Sequence, residues 1–186
     1  MNQFLKIGLA TAIALTATTA FAQASGGVGG PTPGSIVTYA PLPVPGSPSS
    51  GAGSAALSPA GAAAIAAAAS KLSSGTMTSL AGDAAIPAAA QQNVAAVILS
   101  GAPGAVNQLF DALRSSGAQS AQASALANAL AALGGSTSSN AGGLIIDAGD
   151  AFNALVRSAP AGFFANPPAH FLAVHAALVP IVGAIR

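Results

Sequence analysis

His170, His175 and the aspartates Asp83, Asp111, Asp147 and Asp150 are the imidazole and carboxylate side chains of this chain of 186 residues, and the sequence holds no Glu and no Cys. Imidazoles and carboxylates do acid-base work or hold metal ions only when the fold converges them. His170 and His175 lie five positions apart, so on one helix they are offset by about 140°. Helical zinc pairs stand four apart, on one face. The spacing therefore reads as an interfacial or capped imidazole at His170 and a hydrogen-bonded core imidazole at His175. Asp147 and Asp150, three apart, have the spacing of a carboxylate pair, but an apolar stripe opposite them makes an exposed polar face the better reading. No serine sits in a G-x-S-x-G elbow. Gly26-Gly27-Val28-Gly29-Gly30 has no strand before it and no helix after it, so it is not a phosphate cradle. The lack of cysteine excludes thiol chemistry, thiolate-zinc sites and a disulfide framework. No catalytic, cofactor-binding or metal-ligating residue is assigned, and no cofactor or small-molecule substrate is implied.

The elements that would position these side chains are helical. Pro59 to Ser73 follows the N-cap candidate Ser58 and ends before Gly75, with Ile65 and Leu72 as its only large anchors. It reads as locally helical and weakly docked. A second helix spans about Pro87 to Leu99, with Val94, Val97 and Ile98 on one side and Asp83 as a cap candidate for an extra turn. The third, Pro103 to Ser115, has the clearest period: Val106, Leu109, Phe110 and Leu113 form one stripe, and Asp111 and Arg114 could pair across a turn for roughly 0.2 to 0.5 kcal/mol. The fourth, Gln119 to Leu133, carries Leu126, Leu130 and Leu133 beside a small-residue row at Ala123, Ala127 and Ala131, which lets a neighbouring backbone approach, and Gly134 follows as its C-cap. Asn140 is a cap candidate for a fifth helix to Arg157, whose stripe is Leu144, Ala148, Ala151, Phe152 and Leu155. The last helix, from Asn166-Pro167-Pro168 to Arg186, is apolar almost all round and must be covered by protein or lipid. Before it, Phe163 and Phe164 read as a plug for one end of a bundle, with an exposed wedge for a partner or a membrane as the alternative. The stretch from Gly104 to Ile185 is the expected centre of the fold.

The front of the chain differs in kind. Residues 1–22 have a basic start at Lys6, an apolar run and the small-residue box Ala20-Phe21-Ala22, which predicts a signal peptide cleaved after Ala22. In residues 23–54, Gly, Pro and Ser fill 20 of 32 positions without a charge, so a flexible or extended tether is expected there. Within it, Ile36 to Pro45 alternates prolines with apolar residues and holds the only tyrosine, Tyr39. That pattern suits polyproline II and reads either as plain linker or as a docking strap on the chain's own bundle or a partner.

Composition limits the rest. The sequence has 50 alanines against 44 residues of Leu, Ile, Val and Phe, so helix propensity is high and the core thin. Without residues 1–22, four bases (Lys71, Arg114, Arg157, Arg186) face four acids, and a neutral surface of this kind gives little self-repulsion. It also lacks the clustered bases that nucleic-acid binding requires. The expectation is an all-α protein: a small bundle of five to six short Ala-rich helices in residues 55–186, best defined over 103–185, behind a signal peptide and a tether. Its expected role is that of an exported, non-enzymatic structural or interaction protein of a bacterial envelope or extracellular space, periplasmic or released, with a protein partner or self-association. The alternative is a membrane-active protein using the apolar helix at 168–186, with contact to the membrane surface through 163–186.

Overall fold

Alanine-rich segments bounded by Gly, Pro and Ser have high helix propensity, and here they satisfy their backbone internally as helices. The computed structural model describes residues 41–44, 60–79 and 85–185. The signal peptide, most of the tether with Tyr39, the cap candidates Ser58 and Asp83, and Arg186 lie outside the described residues. Among the described residues seven helices form: α1 (Gly61–Ser73), α2 (Ala88–Ser100), α3 (Pro103–Ser115), α4 (Ser120–Leu133), α5 (Ala141–Ser158), α6 (Ala161–Ala165) and α7 (Ala169–Gly183). Among the described residues no strand forms, apart from one antiparallel bridge between Thr78 and Ala85. The small helical bundle read from the sequence is therefore the fold. Its short α6, which carries Phe163 and Phe164, was not anticipated. The described residues all belong to one unit, Pro33–Arg186.

α7 is the axis of this unit. Every residue from Phe171 to Leu178 is buried, and α1, α2, α3 and α5 all pack on it. A helix apolar all round has no face for water, and here it is wrapped by protein. Within the expected centre, Gly104 to Ile185, α7 is thus the element that the others wrap. α4 turns Ala123, Leu126, Ala127, Leu130 and Leu133 inward. Ala123 and Ala127 of its alanine row are thus buried in a helix that packs on α2, α3 and α5 within the bundle. α1 is better docked than its two anchors suggest, because Ala68 and Ala69 are also buried and it meets α2, α5 and α7.

Two residues expected to cap helices act differently. Asn140 stands at the N-cap of α5, but its Oδ1 accepts hydrogen bonds from the backbone N–H (2.6 Å) and hydroxyl (3.1 Å) of Thr137, tightening the preceding loop. Gly134 follows α4 in an ordinary right-handed conformation, φ −62°. Glycine is needed there for proximity: a Cβ would stand 2.5 Å from the carbonyl oxygen of Ile98 and 3.2 Å from that of Leu99.

Without a sheet, extended backbone must find other partners, and side-chain amides provide them. The Gln91 carbonyl accepts the Met77 N–H (3.2 Å), and its NH2 donates to the carbonyls of Met77 (3.1 Å) and Ile86 (2.9 Å). One buried side chain on α2 thereby holds both ends of the connection between α1 and α2. Gln91→Ala should cost about 1–2 kcal/mol, because it leaves buried backbone groups without partners. Urea denaturation checks this, and amide exchange at Met77 should accelerate first.

Candidate functional site

The residues singled out for chemistry are held apart by the bundle. Asp147 is exposed and Asp150 half-buried on α5, while Asp111 and Arg114 line an open surface depression of about 420 Å³ with Ser115. His170 is half-buried near the start of α7, and His175 lies one and a half turns further on, inside the core. Among the described residues no three His, Asp or Glu side chains converge as a metal site would require.

His175 belongs to an aromatic cluster. Its ring lies 5.7 Å from that of Phe152, which stacks on Phe171 at 5.2 Å and 14°. Phe163 meets Phe171 edge to face at 5.1 Å, and Phe164 stands 6.1 Å from the same ring. The Phe163-Phe164 pair therefore plugs the bundle, with Phe163 buried and Phe164 half-buried. Burial holds both imidazoles below the ordinary 6.5, because the charged form loses hydration. The unfolded chain takes up protons more readily than the folded one, so stability is full above about pH 7 and declines as pH falls through 6.5 toward the lowered folded values. The thermal midpoint should be flat in that upper range and drop on acidification, and His170→Gln/His175→Gln should flatten the drop.

The residues brought together most specifically are Asn153 and Gly149, one turn apart on α5, with Leu42 and Val44. The Leu42 N–H donates to Asn153 Oδ1 at 2.7 Å, and Asn153 Nδ2 donates to the Leu42 carbonyl at 2.9 Å. The amide thus pairs with one residue as a neighbouring strand would. Val44 N–H also donates to the Leu42 carbonyl at 2.9 Å, closing a three-residue turn around Pro43 where polyproline II was expected. Leu42 is 5% and Val44 0% exposed, and Leu42 and Pro43 border Val179, Val182 and Gly183 of α7. Val44 sits against the bare backbone of Gly149: a Cβ there would fall on its Cγ2. Residues 41–44 form a strap seated in a groove between α5 and α7, the own-bundle form of the docking reading.

Nothing local in the sequence marks Asn153 as the clamp. The signal is a pair: a glycine and an amide one turn apart, on a face between Ile145 and Phe152. The buried face of α5 is Ala141, Gly142, Ile145, Ala148, Gly149, Phe152, Asn153 and Leu155. It is rotated toward the small residues, relative to the predicted stripe, to admit the strap.

Two other surfaces are apolar. Leu99, 58% exposed, borders a shallow groove with Ile65, Ile98 and Leu133, and half-buried Val106 and Phe110 edge another between α3 and α4. Among the described residues no helix is long and apolar enough to cross a membrane. Set against protein-family models, curated proteins and solved structures, the chain matches none.

Proposed function

We propose that the chain is an exported, non-enzymatic structural or interaction protein of the cell envelope or extracellular space that associates with itself or a protein partner. The observation that best supports this is the use made of the buried amides. Gln91 and Asn153 grip the chain's own backbone, and Asn93 Nδ2 donates to the Ala105 carbonyl and Gln108 Oε1. Their polar capacity goes into holding a body together, as a scaffold requires. The neutral surface and exposed Leu99 favour association. The alanine rows count for less than the sequence suggests, because they are used inside the bundle.

Sedimentation of the chain from Gln23 onward over a range of concentrations tests the association, and a monomer throughout would remove that part of the reading. Leu99→Asp should lower any assembly through the α1–α2 side. The membrane alternative requires α7 to abandon its core and expose Phe171 to Leu178. Co-flotation with liposomes measures it, and the expected result is that the protein stays in solution. Cell fractionation with mass measurement of the amino terminus tests export and cleavage after Ala22.

A further inference from the structure

We infer that the groove between α5 and α7 is a receptor for the strap of a second copy, so that two chains associate by exchanging their Leu42–Val44 segments. This deepens the self-association reading above and rests on it. The groove recognises short backbone and two aliphatic side chains: a bidentate amide at Asn153, a site for Leu42 beside Val179 and Val182, and a notch at Gly149 that takes Val44. A copy of the same chain presents the same segment, so complementarity in trans is guaranteed by identity. Charge does not oppose the approach, since no residue of 23–54 is charged and the chain from Gln23 onward is formally neutral.

The covalent connection leaves room for exchange. A Cβ on Gly61, at the start of α1, would touch Ala141 and Ile145 near the start of α5, while Val44 abuts Gly149. These points are four to eight residues apart along α5, or about 6–12 Å. Residues 45–59, fifteen positions, can span at most about 50 Å when extended. A domain of this length has a radius of gyration of about 14 Å, so the connection can reach a neighbour's groove. A short connection also gives the chain's own strap an effective concentration on the order of millimolar. The self-docked form therefore prevails in dilute solution, and exchange emerges where copies are crowded or refold together.

The lack of native cysteine makes the test clean. A Cβ at position 149 would stand 3.5 Å from the Val44 Cβ, within the disulfide range of about 3.5–4.5 Å. Val44→Cys and Gly149→Cys are made in separate full chains, mixed at high concentration, unfolded and refolded together, and oxidised with glutathione disulfide. The expected product is a reducible heterodimer of one chain of each kind. Asn153→Ala in the Gly149→Cys chain should lower its yield about tenfold. An unchanged yield would mean random collision and overturn the proposal. Val44→Cys/Gly149→Cys in one chain checks the seating and folding. If it closes a disulfide within the monomer while the mixture gives no heterodimer, the exchange is refuted and the self-docked strap stands. If neither disulfide forms, the seating itself is wrong and the exchange falls with it. Sedimentation showing assembly without the mixed disulfide would leave the broader self-association reading intact and remove this route to it.

Discussion

Phe171→Ala lowers the unfolding free energy by about 3–5 kcal/mol, the cost of deleting a fully buried phenylalanine. Phe171 is the ring on which the plug is assembled: Phe152 stacks on it, and Phe163 and Phe164 approach it edge-on. Each such pair contributes about 0.5–1.5 kcal/mol beyond the area it buries. Domains have only about 5–15 kcal/mol in total, and a core this rich in alanine places the protein toward the lower end. Circular dichroism at 222 nm should show the thermal midpoint falling by about 10–20 °C. Phe171→Leu, which keeps most of the volume, should lose markedly less. A loss below about 1 kcal/mol for the alanine variant would mean that the aromatic cluster is not the centre of the core.

The second large effect comes from adding one methyl group. Gly149→Ala should unseat the strap and destabilise the protein by about 2–3 kcal/mol, against the roughly 0.5–1 kcal/mol that alanine ordinarily gains over glycine inside a helix. The new Cβ would fall on Val44 Cγ2, and a buried, β-branched side chain is stiff at χ1 and turns aside only at a cost. Expelling the strap exposes Leu42 and Val44, each contributing about 1.5–3 kcal/mol by burial. It also releases the two hydrogen bonds at Asn153, and the freed backbone entropy offsets part of the loss. Val44→Ala/Gly149→Ala should be more stable than Gly149→Ala alone, the sign of coupling expected of two residues in contact. Exchange of the Leu42 amide reports the seating, because that N–H bonds to Asn153.

α3 was legible at both ends, since Pro103 opens it and the Val106, Leu109, Phe110, Leu113 spacing admits one helical reading. α7 was legible as an element that must be covered, because no side of Ala169–Gly183 is polar. What covers it was not legible: hydrophobic periodicity shows which face turns inward but names no partner. The amides Gln91, Asn93 and Asn153 escaped notice because a buried amide interrupts an apolar stripe just as an exposed one would. Their roles depend on residues 14, 12 and 111 positions away. Gly134 does follow α4, but what demands glycine there is the close backbone of α2, a contact that no local signal announces. The strap is the extreme case: an aliphatic-proline-aliphatic segment looks the same in a linker and in a groove, and only Gly149 and Asn153 distinguish the two.

The position of α7 along the chain also dictates the order of events during synthesis. A ribosome delivers α1 to α6 before the helix that four of them wrap, so the emerging polypeptide has local helices but no interior to close around. Folding must wait until α7 emerges, and until then the apolar faces of α1, α2, α3 and α5 that pack on it are open to chaperones. A product truncated before Phe171 would contain most of the protein's helices and none of its fold, which makes it a substrate for quality-control proteases rather than a smaller version of the domain.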